Sequence, residues 1–267
     1  MQTNLNNSKN ASVRLYNEDC ITGAPKHILS KSVDLIICDP PFGINEGRFS
    51  NQYNRTGIGI VSGYCEAPSG YFDFTREWLG EAKRVLQDNG SMYIVSGWSQ
   101  LHHVLNAITH HDLYVINHLI WKYNFGVFTR NKYVSSHYHI LFLKKNHRVK
   151  HQFNTVCRFE SCQRNELGGS AQYKDLEDVW SIKKEYQRGR TKNINKLPDE
   201  LVRKMIQYSS LPGETVGDFF MGNFTTARVA IEMRRKVVGF EKNSHAYNEF
   251  VPALINANIN HLAMEVK

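Results

Sequence analysis

The stretch that decides the fold is VDLIICDPPFG, residues 33–43. Its first six residues are mostly apolar, which predicts a buried strand that ends at Cys38. An aspartate, two prolines and a phenylalanine follow at once, at positions 39 to 42. Proline cannot donate to a β-ladder, and a carboxylate is costly to bury without a partner. The strand therefore leads into a segment whose composition suits chemistry better than packing.

Strand and helix patterns alternate downstream of this stretch. Strand-like apolar runs lie at 91–97, 112–121, 137–145, 214–220 and 236–242, and helical patterns at 75–90, 99–109, 198–210, 225–235 and 244–259. Thr75 is expected to cap the first of these helices, and Gly90 to end it. Such alternation predicts an α/β, doubly wound, mostly parallel sheet, whose ligands bind beyond the carboxyl ends of the strands. Asp39 and Asp218 both lie at such ends.

The bulk composition is that of one folded domain or a domain with a modest insertion. The 267 residues include 41% hydrophobic and 12% aromatic residues, which excludes a disordered chain. No run approaches the roughly 20 apolar residues of a membrane span, and the polar first ten residues do not resemble a signal peptide. We therefore expect a soluble cytoplasmic protein. Five scattered cysteines suit reduced thiols better than a disulfide framework.

The positive charge is concentrated in one segment, residues 144–192. It holds 12 basic and 6 acidic residues and so carries +6 of the net charge of +8. A solvated surface insertion is one interpretation, and a basic lobe that contacts a phosphate backbone is the other. Residues 43–74 form a second unusual segment, long and rich in glycine and polar residues. Segments of this kind are lids, binding loops or disordered connections.

The chemistry of DPPF favours an amino group as its ligand. The two prolines fix φ near −65°, so the Asp39 and Pro40 carbonyls are held without a competing N–H. Together with the Asp39 carboxylate they form a cluster of acceptors, and Phe42 offers a stacking face. An exocyclic base amine meets these requirements once the base has left the duplex. The alternative is that Phe42 belongs to the core and that the tetrapeptide is a chance match.

DPPF at the end of an apolar strand resembles the catalytic motif of amino-group DNA methyltransferases, which make N6-methyladenine or N4-methylcytosine. A second segment, 213–243, resembles the cofactor motif of the same family, in which a strand, a glycine-rich turn and a helix precede a strand that ends in glutamate. The segment LYNEDC, 15–20, resembles the part that contacts the cofactor adenine. NINKLPDELVRKMI, 193–206, resembles the lysine-proline stretch before the cofactor strand, although Leu197 intrudes. The catalytic motif precedes the cofactor motif, which is the order of the β class.

The resemblance implies a Rossmann-like S-adenosylmethionine-dependent methyltransferase fold with one antiparallel strand and a circularly permuted motif order. Residues 1–267 would form a single methyltransferase domain, with 144–192 as an inserted target-recognition segment and 43–74 as an active-site or DNA-contacting loop. The implied catalytic residues are Asp39, Pro40, Pro41 and Phe42. The implied S-adenosylmethionine-binding residues are Asp19, Cys20, Asp39, Lys196, Asp218, Phe220, Gly222, Asn223, Thr225, Thr226, Glu241 and Lys242. No metal is implied.

Two positions depart from the cofactor motif: Phe219 replaces its proline and Phe224 its second glycine. Either the turn is rebuilt, with Phe219 and Phe224 packed together, or cofactor binding is weakened. The second alternative would make the chain an inactive DNA-binding relative or a regulatory subunit. For Asp218, a helix N-cap is an alternative role that is compatible with cofactor binding.

The implied partner is double-stranded DNA, and the implied target is N6 of adenine, because aspartate-led motifs are commoner in adenine enzymes. Cytosine N4, RNA and a protein amide remain alternative targets. A homodimer and a companion restriction endonuclease are left open, in a nucleoid-associated cytoplasmic protein. A zinc site is a further alternative, but its candidate ligands match no common zinc-finger spacing. These candidates are His147, His151, Cys157 and Cys162.

Overall fold

The structure is a computed structural model that describes most of the chain. The described residues are 12–42, 70–124, 126, 130–155, 158, 174–185, 196–258 and 263–266. Most of the segment expected to be an active-site loop, and much of the basic segment 144–192, lie outside these ranges. The predicted division of the chain at these segments therefore stays a prediction.

Nine strands in the described part of the chain form one sheet. They are β1 (Ser12–Tyr16), β2 (Val33–Cys38), β3 (Leu86–Ser96), β4 (Tyr114–Lys122), β5 (His137–Lys144), β6 (Val179–Ser181), β7 (Thr215–Asp218), β8 (Lys236–Phe240) and β9 (Ala263–Val266). Their spatial order is β6-β4-β5-β3-β2-β7-β8-β1-β9.

Strand β5 alone runs against its neighbours. It pairs antiparallel with both β3 and β4, whereas every other neighbouring pair in the sheet is parallel. The described residues of the connection from β4 to β5 form no helix, and antiparallel neighbours can be joined without a crossover helix. The expected mostly parallel sheet with one antiparallel strand is confirmed.

Six α-helices in the described ranges cover the two faces of this sheet. They are α1 (Cys20–His27), α2 (Tyr71–Val85), α3 (Leu101–His110), α4 (Asp199–Ser209), α5 (Thr225–Glu232) and α6 (Ser244–Asn258). Helices α1 to α3 share one hydrophobic core with the sheet, and α4 to α6 share the other. Strand β2 serves both cores, since Leu35 and Ile37 face one and Ile36 and Cys38 the other. This double coverage explains its nearly continuous apolar sequence and confirms the doubly wound fold.

Helix α2 differs from its predicted bounds at both ends. It begins at Tyr71, after Gly70 in a left-handed conformation with φ 84°, and Thr75 lies buried inside it. Thr75 Oγ1 donates to the Tyr71 carbonyl at 2.7 Å, so the threonine is no N-cap. Gly90 lies within β3, where a Cβ atom would come within 2.9 Å of the Asp34 carbonyl oxygen. Close strand approach, and not helix termination, explains this glycine.

The sheet order creates a topological switch point between β2 and β7. From β2 the chain passes through α2 to β3 on one side, and from β7 it passes through α5 to β8 on the other. The two connections diverge and leave a crevice above the carboxyl ends of β2 and β7, where ligands bind in sheets of this class. None of the helices in the described ranges has the length and apolar character of a membrane span.

Candidate active site

The tetrapeptide DPPF lies directly above the carboxyl end of β2. Asp39 is half-buried, and its Oδ1 atom is shielded from solvent. Pro40 and Phe42 are buried and Pro41 is half-buried. The Phe42 ring is tilted against Tyr138 of β5, with 5.4 Å between the ring centroids. The predicted catalytic residues therefore lie at the carboxyl end of β2, and Phe42 is also part of the core.

Asp218 ends β7, the neighbour of β2, and is almost fully buried. Its Oδ1 accepts a hydrogen bond from the Phe220 backbone N–H at 2.9 Å, and the Thr226 side chain bonds to it as well. Burial raises the pKa of Asp218 to about 7, although both hydrogen bonds favour the carboxylate. The residue that precedes α5 is Phe224, so Asp218 is not the N-cap of that helix.

Glu241 follows β8 and is bound to the turn after β7. One carboxylate oxygen accepts from Gly222 N–H at 2.6 Å and the other from Asn243 N–H at 2.7 Å. Burial raises the pKa of Glu241, while these two bonds oppose the rise. Gly222 has φ 51°, a left-handed conformation that glycine adopts at little cost. The glycine and the acid of the predicted cofactor motif are therefore in direct contact, and Asn223 lies in the same turn.

Asp19 stands at the end of β1, beside β8. It caps α1, accepting from Ile21 N–H at 2.9 Å, and forms an ion pair of 2.9 Å with Lys242. The next residue, Cys20, is buried, and burial raises the pKa of its thiol. Because β7, β8 and β1 are adjacent, the acids that end or follow these strands lie along the same end of the sheet. We call these three acids, Asp218, Glu241 and Asp19, the acidic rim.

The acidic rim fits S-adenosylmethionine. That molecule carries two cationic groups, a ribose diol and an amino-bearing adenine. Carboxylates accept hydrogen bonds from the hydroxyl and amino groups, and they attract the cations. Thr225 and Thr226 are buried at the start of α5, and the Phe220 ring packs edge-on against Trp78 at 5.3 Å between centroids. These three residues support the turn that forms the rim.

Lys196 has a different setting from the other predicted cofactor residues. It precedes α4, where its ammonium contacts Glu185 at 2.9 Å and Asp199 at 3.1 Å. Glu185 also accepts from the Asp199 backbone N–H at 2.9 Å. These contacts give Lys196 a place in an ion network at the start of the helix, and its contact with a cofactor stays a prediction.

Phe219 and Phe224 do not pack together, so that expectation is wrong. Phe219 lies edge-on to Phe240 in one core, and Phe224 lies edge-on to Tyr247 in the other. Phe224 has φ 58°, which lies in the left-handed region that glycine adopts readily and bulky residues rarely adopt. The backbone of Phe224 thus takes a glycine-like path, while its ring fills the core beside α6.

Sequence reasoning missed a cluster beside Phe42. Trp121, Tyr123 and Tyr138 contact one another, and the ammonium of Lys184 lies over their rings. We call these three rings the aromatic cage. The signal in the sequence is the concentration of aromatic residues around the β4–β5 connection. In the sequence, nothing distinguishes Lys184 from the other basic residues of the segment 144–192.

The described part of the basic segment is docked onto α4. Asp175 forms an ion pair of 2.8 Å with Arg158, and it accepts from Lys204 at 3.3 Å and from the Tyr208 hydroxyl. Lys204 also lies over the Trp180 ring, 4.5 Å from its centroid. The segment is thus tied to the catalytic domain by a largely buried network.

The zinc alternative has no support in the described ranges. There, no group of three or more histidine, cysteine or acidic side chains is placed to hold a metal. His151 packs edge-on against Phe142, 5.6 Å between centroids. Cys157 and Cys162 lie outside the described residues.

Comparison with known proteins identifies the family. A family model described as DNA methylase, of the N6/N4 type, matches residues 33–252. The chain is 27% identical over 254 residues to the type II methyltransferase M.HinfI of Haemophilus influenzae, covering 91% of this chain and 67% of the relative. It is 28% identical to the type II methyltransferase M.BamHI of Bacillus amyloliquefaciens, covering 85% of this chain but only 54% of the relative.

The fold also matches a solved structure that contains the cofactor. The M1.HpyAVI–SAM complex superposes with a TM-score of 0.64 at 20% identity, over 91% of this chain and 99% of the other. At this identity the match supports the fold, and the acidic rim supplies the independent chemical reason to expect the same cofactor.

Proposed function

The chain belongs to the N6/N4 family of DNA methylases, and on that premise we propose that it transfers a methyl group from S-adenosylmethionine to N6 of adenine in double-stranded DNA. The observation that carries the proposal is the adjacency of Asp39 and the acidic rim. Asp39 follows β2 and Asp218 ends β7, and these strands are hydrogen-bonded neighbours. The proposed amine acceptor and a proposed cofactor-binding acid therefore lie at the carboxyl ends of adjacent strands.

The cofactor would be held by the acidic rim and the turn between Asp218 and Thr225. In this proposal Glu241 accepts from the ribose hydroxyls, and Asp19 accepts from the adenine amine. Gly222 leaves open space where a side chain would stand, since a Cβ atom there meets only the Phe220 carbonyl at 3.9 Å. When bound, S-adenosylmethionine supplies an electrophilic methyl group on a sulfonium.

The target amine would be held by Asp39 and Pro40. Its lone pair is delocalised into the base and is a poor nucleophile. Hydrogen bonds from the amine to the Asp39 carboxylate and the Pro40 carbonyl favour a pyramidal nitrogen, and they offset the positive charge that develops on it. Asp39, or a water beside it, takes the departing proton. Pro41 fixes the backbone, and Phe42 stacks on the flipped base, a contact worth about 1–3 kcal/mol.

Support for adenine comes from the leading aspartate of the motif, which is commoner in adenine enzymes, and cytosine N4 is the alternative. Double-stranded DNA is the proposed substrate, and the excess of basic residues in 144–192 supports it. A homodimer, a companion restriction endonuclease and a nucleoid-associated location in the cytoplasm belong to the same proposal.

Incubation with genomic DNA and S-adenosylmethionine, followed by digestion to nucleosides and mass spectrometry, tests the proposal. We expect N6-methyladenine from the wild type and none from Asp39→Ala, with cofactor binding in that variant within a few-fold of wild type. Asp73→Ala, which removes an exposed acid from α2, is the matched control. N4-methylcytosine as the product would change the assigned target from adenine to cytosine. Full activity of Asp39→Ala would refute the assignment of the active site.

A further inference from the structure

The ammonium of Lys184 occupies the aromatic cage beside Phe42. Its Nζ atom lies 4.4 Å from the ring centroid of Tyr123, 4.8 Å from that of Tyr138 and 6.0 Å from that of Trp121. A cation at these distances is attracted by the negative face of each ring. Tyr138 also contacts Phe42, so the cage adjoins the proposed base-stacking ring.

The backbone around Lys184 is fixed, while its side chain has four flexible carbon atoms. Lys184 N–H donates to the Asn124 side chain at 3.2 Å, and Ile182 N–H donates to the Lys122 carbonyl at 3.1 Å. Glu185 is held by Lys196 and by the start of α4. A compact ammonium on a flexible stem can exchange one partner for another without movement of this anchored segment.

A fixed ammonium in the cage would oppose methyl transfer. The reaction brings a sulfonium into the crevice and places developing positive charge on the amine, and like charges repel strongly in a site shielded from water. An entering base also competes for the same surfaces, because bases stack on aromatic rings. The phosphates that accompany the base offer an ammonium a charged acceptor, which makes a stronger hydrogen bond than a neutral group does.

We propose that Lys184 is a positioning residue that exchanges partners during base flipping. It holds the aromatic cage while the target pocket is empty; the flipped base then displaces it, and its ammonium moves to a phosphate next to the flipped nucleotide. This inference rests on the proposed function of the site. It predicts that Lys184 contributes a phosphate contact only to DNA that has a base outside the helix.

The test compares two duplexes of one sequence, one fully paired and one with a single bulged adenine. Dissociation constants are measured over a range of salt concentrations, without cofactor, for wild type, Lys184→Met and the control Lys183→Met. Lys183 is the exposed neighbour on the same segment, so both changes remove one charge. On the bulged duplex, Lys184→Met should weaken binding about tenfold and lower the slope of log affinity against log salt by ~0.9. On the paired duplex it should match wild type.

Lys183→Met should change both duplexes equally, and Lys184→Arg should keep the wild-type slope. Loss of binding by Lys184→Met on both duplexes, or on neither, would overturn the proposal. Thermal melting of each variant separates a folding defect from a lost contact. Failure of this proposal can be told apart from failure of the proposed function, because the duplex comparison needs no methylation. A wild-type protein that forms no methylated base would refute the activity, whatever the Lys184 result.

Discussion

At the scale of the residue, Phe224 shows how one side chain satisfies two demands. Its backbone has φ 58°, and its ring is buried against Tyr247. A bulky residue at such φ costs about 1–2 kcal/mol, whereas removal of a buried Phe side chain costs about 3–5 kcal/mol, so packing outweighs the strain. The sequence identified the departure from glycine, but only the structure shows that the ring points into the core.

We therefore predict that Phe224→Ala and Phe224→Gly both destabilise the fold, and that glycine is the milder change by about 1 kcal/mol. At an ordinary position inside an element glycine would be the worse of the two, since it loses more backbone entropy. Both variants should bind S-adenosylmethionine more weakly, because the buried ring anchors the turn between Asp218 and Thr225 to the core. Urea denaturation and calorimetric titration measure the two effects. If the Phe224→Gly variant bound the cofactor more tightly than wild type, Phe224 would instead be crowding the cofactor site.

Asp218 gives a prediction on pH. Burial raises its pKa from 3.8 to about 7, so the folded state holds this proton more tightly than the unfolded state does. The stability that this group contributes is therefore fully present below about pH 4 and is lost as the pH rises through 7. Asparagine at position 218 cannot ionise. The melting temperature of Asp218→Asn minus that of wild type should therefore increase from pH 5 to pH 8. A difference that stays constant over this range would contradict the assignment.

At the scale of the element, sequence patterns predicted what is locally encoded and missed what depends on pairing. Strand β2 was predicted to end at Cys38, as it does, because its apolar run is unbroken. Strand β6 is only three residues long, and it is defined by its pairing with β4, about 60 residues earlier. No local sequence pattern therefore predicts it. The aromatic cage has the same origin, since its rings and Lys184 come from separate parts of the chain.

The described part of the basic segment 144–192 is held to α4 by Asp175, which forms an ion pair with Arg158 and accepts from Lys204 and Tyr208. We predict that Asp175→Asn destabilises the protein by about 3 kcal/mol, the low end for breaking a buried ion pair, because it leaves two cations with a weaker acceptor. Asp178→Asn, at an exposed neighbouring acid, is the control. Chemical denaturation gives the difference. Equal stability of the two variants would mean that the segment is docked by other contacts.

At the scale of the whole molecule, the sheet topology determines where the basic segment lies relative to the proposed active site. The switch point lies between the central strands β2 and β7, and β4 and β6 bring the described part of the basic segment to the side that carries the aromatic cage. Net charge alone indicates the class of partner but not the surface that it contacts. The surface requires an experiment that changes charge at a defined place.

Charge reversal to glutamate at four positions of the basic segment should weaken DNA binding and flatten its salt dependence. The positions are Lys183, Lys184, Arg188 and Arg190, of which the last two lie outside the described residues. Each lost phosphate contact removes ~0.9 from the slope of log affinity against log salt. The control reverses four exposed cations elsewhere, namely Lys26, Lys31, Arg234 and Lys236. Both variants lose the same net charge, so an equal effect would show a non-specific influence of total charge. A slope that falls only in the first variant would place the DNA along the basic segment, and an unchanged slope in that variant would place it elsewhere.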